Sequence, residues 1–112
     1  MGIQGDVFRS RSHDIDNAMT ALAASEGFDN DATKVRLWIV GQVASHIYAC
    51  AGDMVDVLLA ANKQTETDQA IAKMTETNRQ ARNAAAKGFS TGDWSAFDDI
   101  VDRLNAGGSG TA

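Results

Sequence analysis

The chain has 112 residues with 10 Lys+Arg against 15 Asp+Glu, a formal net charge of −5, and one cysteine. That length is one domain's worth, and folding hides roughly 65% of the unfolded surface, so a modest core suffices without metal or cross-links. The lone Cys50 excludes an intrachain disulfide and a cysteine-rich zinc site, and the acid excess argues against broad binding to nucleic acid or to an anionic membrane surface.

There is no proline, and 19 residues are alanine. Few residues break helices and many favour them, so the expected class is all-α, a small bundle of about four helices. Residues 1–12 mix Gly2, Gly5, Ser10 and Ser12 with Arg9 and Arg11 and read as a flexible arm; residues 13–105 form a single helical domain. Helix one is expected from about Asp14 to Ser25, with Ile15, Met19 and Leu22 on one face and Gly27 closing it.

Helix two begins behind Asp29-Asn30-Asp31, whose side chains can accept from free helix N–H groups, and runs to about Asn62. Its apolar residues from Val35 to Leu59 cover more than half of the circumference, so it requires neighbours on two or three sides. Leu37 to Gly52, the longest stretch without a formal charge, has 16 residues and includes Gln42, Ser45 and His46, whereas a membrane-spanning helix wants ~20 predominantly apolar residues. No membrane association is therefore expected.

Helix three is expected from about Thr67 to Lys87, with Ile71 and Met74 as its only large apolar residues. The short joint Lys63–Glu66 makes helices two and three an antiparallel hairpin, the trunk across which helices one and four would pack. Helix four would start with Ser90 as cap and Asp93 as third residue, Phe89 and Trp94 forming a hydrophobic staple. Its apolar stripe is Trp94, Phe97, Ile100, Val101 and Leu104, and residues 106–112 read as a flexible Gly/Ser tail.

Chemistry-bearing residues are few. His46, Cys50 and Asp53 share one arc of helix two at i, i+4 and i+7; these are metal-ligand types, but a zinc site wants further strong ligands and the other histidine, His13, lies near the arm. Cys50 falls in the apolar arc, where a lone cysteine serves as a small hydrophobe. Asp29–Thr33 lacks the glycine and glutamate of an EF-hand, since Lys34 and Val40 hold those positions. Neither a Gly-x-x-x-x-Gly-Lys-Ser/Thr loop nor a Gly-x-Ser-x-Gly elbow occurs, so no catalytic, cofactor or metal residue is assigned.

The run Val43-Ala44-Ser45-His46, on a long helix followed by a short turn and a second helix, loosely resembles the phosphoacceptor hairpin of sensor histidine kinases. It departs from that family in Ile47, Tyr48, Ala49 and Cys50, where an acidic or polar residue, or a lysine and a glycine, would assist phosphate transfer. Phosphotransfer or metal binding through His46 is the alternative function that these residues leave.

The expected function is a non-enzymatic helical interaction protein: an adaptor, an inhibitor or an assembly subunit. Trp94, Phe97, Val101 and Leu104 have the three-four spacing of a helix that lies in a groove, a spacing that also closes a terminal helix onto its own bundle; where helix four is core, the interaction surface falls on the uncovered arc of helix two around Leu37, Tyr48, Val55 and Leu59. The partner is expected to be a protein, with homo-oligomerisation, and no cofactor and no nucleic acid. The N-terminal Met1–Asp6 has no apolar run and no myristoylation pattern, which with the single cysteine fits a cytoplasmic location. Small acidic helical proteins of this kind are frequent among those encoded by mobile elements.

Overall fold

A computed structural model describes residues 3–110, with side chains from Gly5 to Ala106. The fold class is all-α. Four helices, α1 (Ile3–Ala23), α2 (Ala32–Ala60), α3 (Gln64–Thr91) and α4 (Ser95–Gly110), are joined by a 3-10 turn at Phe28–Asn30 and two tight turns, without strands among the described residues. The chain divides into two compact units between Asn78 and Arg79, inside the continuous helix α3.

In the first unit α1 lies antiparallel along α2. The paired positions run Gly5 with Gly52 and Asp56, Phe8 with Tyr48, Ser12 with Ser45, and Met19 with Gly41, so one helix descends as the other rises. Glycine is needed at this seam for the approach itself. A Cβ on Gly52 would stand 2.9 Å from the Gly5 carbonyl oxygen and 3.0 Å from Arg9 Cγ, and the Met19 side chain fills the place of a Cβ on Gly41.

Residues 3–12, expected as a mobile arm, are thus the first half of α1. Two things hold them. The backbone approach at Gly5 brings dispersion contacts that no apolar periodicity announces, and Arg9 gathers three carboxylates, pairing with Asp6, with Asp56 at 2.6 Å and with Asp53 at 3.5 Å. Hydrogen bonds to Asp56 and then Asp6 raise the pKa of the guanidinium further above its ordinary value.

The start of α2 follows the sequence reading. Asp31 Oδ1 accepts from Thr33 N at 3.0 Å and Lys34 N at 3.1 Å, satisfying two of the free donors of the first turn. Gly27 has φ 74° but precedes the 3-10 turn rather than closing α1, which ends four residues earlier at Ala23. Phe28 then folds its ring edge-on toward Trp38, the centroids 6.5 Å apart.

The α2–α3 turn sits earlier than expected. Asn62 takes the left-handed conformation at φ 58°, Lys63 N donates to Leu58 O at 2.9 Å and Asn62 N to Leu59 O at 3.0 Å. That double bond pattern is a Schellman motif with asparagine in the position glycine usually takes. α3 begins at once at Gln64, and Thr67, fully buried, donates its hydroxyl to Lys63 O at 2.8 Å.

In the second unit the end of α3 meets α4. Gly88 lies directly under the Trp94 indole, which stands edge-on to Phe89 at 4.8 Å and to Phe97 at 5.6 Å. The expected cap at Ser90 is corrected: α3 continues to Thr91, and Ser90 Oγ donates back to Lys87 O within that helix. Gly92, at φ 80°, makes the turn instead. Asp93 Oδ1 then receives Ser95 N at 3.1 Å and Ser95 Oγ at 2.7 Å, opening α4, so the Phe89–Trp94 contact is present around a different cap. α4 runs past Asn105 to Gly110, no proline being there to stop it. Met1, Gly2, Thr111 and Ala112, parts of the expected arm and tail, lie outside the described residues.

Candidate functional site

α2 presents three faces, and their separation follows from 100° of rotation per residue. Gly41, Ser45, Tyr48, Gly52 and Asp56 meet α1. Ile47, Ala51 and Val55 are buried, Val55 completely. The third face holds Ile39, Val43, His46, Cys50, Met54 and Val57 within an arc of about 80°. Met54 is 56% exposed and Val57 68%, the two most exposed large apolar side chains among the described residues. His46 and Cys50 are exposed between them and the half-buried Ile39 and Val43.

The residues that sequence spacing nominates for interaction distribute differently. Phe97 and Val55 are fully buried and belong to the core. Trp94, Val101, Leu104, Tyr48 and Leu59 are half-buried, Trp94 against Gly88 and Phe89 and Tyr48 6.4 Å from the ring of Phe8. Leu37 alone of the eight is exposed, at 43%. Met54 and Val57 were not singled out because the apolar arc of α2 is so wide that its sequence cannot say which side is left uncovered.

Cys50 is likewise corrected from small core hydrophobe to exposed thiol. Its Sγ lies 3.5 Å from His46 Nε2 and 3.9 Å from Nδ1, one helical turn away. Asp53, the third member of the spacing, turns toward Arg9 instead. Among the described residues no group of three or more His, Cys, Asp and Glu side chains gathers as a metal centre within one chain.

α2 is the single helix among the described residues long and apolar enough to cross a membrane by length and composition. Its Arg9-facing side carries Asp53 and Asp56. Comparison with protein-family models, with curated proteins and with solved structures finds no match.

Proposed function

We propose that this chain is a non-enzymatic interaction protein, an adaptor, inhibitor or assembly subunit, whose docking surface is the outward face of α2. The observation that carries this reading is the exposure of Met54 and Val57 on the most apolar helix of the molecule. A neighbouring protein that covers them gains about 1.5–3 kcal/mol for each such side chain fully removed from water, before the costs of association. Phe97 and Val55 do not compete for this role, since they would have to leave the core to reach a partner.

A reducing, cytoplasmic setting suits the single exposed thiol, and the net charge of −5 suits a protein partner better than a nucleic acid or an anionic membrane. The test is the double variant Met54→Asp, Val57→Asp. Both side chains are already exposed, so helicity and melting temperature should hold while association, measured by light scattering or with the partner purified from the native cell, is lost. Association that persists at wild-type strength would overturn the assignment of this face.

A further inference from the structure

We propose that α1 is a strap: it opens from α2 as a unit, ahead of global unfolding, and rising ionic strength favours the open form. The inference concerns the first compact unit alone and stands whether or not the outward face of α2 is the docking surface.

Three observations point the same way. First, α1 brings no apolar side chain fully into the core. Among the described residues of the first unit the buried apolar side chains are Ile47, Ala51 and Val55, all of them on α2. On α1, Phe8, Ile15, Met19 and Leu22 are half-buried and Val7 is exposed, while its buried positions are Gly5 and Ser12. Removal of apolar surface from water is the main force that holds a helix in place, so α1 forfeits little of it on leaving.

Second, the ties between the two helices are polar and can be exchanged for water. Arg9 reaches across to Asp56 at 2.6 Å and to Asp53 at 3.5 Å, and its side chain is 37% exposed. Ser12 Oγ meets Ser45 Oγ at 2.8 Å, and Ser45 donates to Asp16 Oδ1 at 2.6 Å. Each of these groups finds water when the helices part, and solvent-facing ion pairs weaken as salt screens them.

Third, closure carries a cost that opening returns. Asp56 Oδ2 takes the Arg9 guanidinium, but Oδ1 is buried without a hydrogen-bond partner, pressed against Gly5. A buried acceptor kept from water is expensive, and the departure of Gly5 restores its hydration. Gly27 supplies the hinge: it sits at φ 74° between the end of α1 and the 3-10 turn, with open space beside it. A few such positions can absorb the backbone rotation of an opening segment. Once detached, a polar 21-residue helix is marginal in water and frays, which makes the open form readable by hydrogen exchange.

The experiment is native-state hydrogen exchange on the full chain, read by mass spectrometry of peptides from α1 and α2 in low and in high sodium chloride. Amides of α1 should be protected about tenfold or more less than those of residues 41–58. High salt should lower the protection of α1 by a further two- to fivefold or about that, with α2 unchanged. Arg9→Gln should reproduce that drop in low salt and abolish the response to salt. Gly5→Ala, whose Cβ would stand 2.8 Å from the Gly52 carbonyl oxygen, should leave α1 unprotected while α2 keeps its protection. Three results would overturn the proposal: α1 and α2 equally protected in the wild type, both helices losing protection together in salt or in either variant, or an α1 that exchanges fast yet ignores salt and Arg9→Gln.

Discussion

Ser12 of α1 and Ser45 of α2 are hydrogen-bonded through their hydroxyls, Oγ to Oγ at 2.8 Å, and both are buried. Ser45 Oγ donates to Asp16 Oδ1 at 2.6 Å, which leaves Ser12 to donate to Ser45. The helices therefore meet through a small polar chain flanked by glycines, rather than through large apolar side chains. Such a seam is close and directional but tolerates no added volume.

The first prediction tests that intolerance at Gly52. Alanine is favoured over glycine by about 1 kcal/mol in a helix interior. Here its Cβ would stand 2.9 Å from the backbone oxygen of Gly5, which cannot swing aside as a flexible side chain would. Gly52→Ala should therefore destabilise the protein, by about 1–3 kcal/mol as overpacking does, in denaturant unfolding. A gain in stability would mean that α1 does not sit against Gly52.

A second prediction concerns the α2–α3 turn. Asn62 is the only non-glycine residue with positive φ among the described residues, at 58°. Asn62→Gly should leave stability unchanged or raise it, because it removes the Cβ that crowds the following carbonyl in the left-handed region, whereas Asn62→Ala should cost up to about 1 kcal/mol, because alanine keeps that Cβ and lacks the short polar side chain whose local hydrogen bonding lets asparagine adopt this conformation. Thermal melts of the two variants side by side check the sign.

Those two sites also show what sequence could and could not reveal. The Asp31 cap of α2 and the apolar face of α4 were legible, because a capping carboxylate before an apolar run and a three-four stripe each have one structural meaning. The first half of α1 was not legible, because Gly5, Arg9 and Ser12 bind α2 by approach and polarity and leave no apolar period. The turn at Asn62 was hidden because asparagine, unlike glycine, has several common settings. The face of Cys50 differs from expectation for another reason: periodicity measures how wide the apolar arc of α2 is, but only what packs against the helix decides which part stays open.

The third prediction is a pH dependence at the start of α4. Hydrogen bonds from the Ser95 hydroxyl and backbone N–H, followed by Lys87, hold the Asp93 carboxyl at about 2, below its ordinary 3.8. A depressed carboxyl binds more protons when unfolded, so its contribution is fully present above pH 4 and is lost as pH falls toward 2. Melting temperature should fall across that window, and Asp93→Asn should remove this part of the fall, leaving that of the other carboxylates. The group is solvent-exposed, so the effect is small and should shrink in high salt for its Lys87 part.

The last prediction separates core from surface by comparing Phe97 with Val57. Both are apolar residues on amphipathic helices, and sequence spacing favours Phe97 as the docking residue. The structure reverses their roles: Phe97 is 0% exposed beside Trp94, and Val57 is 68% exposed. Phe97→Ala removes most of a ring from a packed site and should cost about 3–5 kcal/mol, through lost transfer energy and the cavity left behind. Val57→Ala removes two methyl groups already in water and should stay within about 0.5 kcal/mol of wild type. Chemical denaturation of each variant gives the two numbers, and Val57→Asp then asks whether association fails while the fold persists. If Phe97→Ala were tolerated and Val57→Ala were not, the exposed face of α2 would be part of the core and the docking surface would lie on α4 after all.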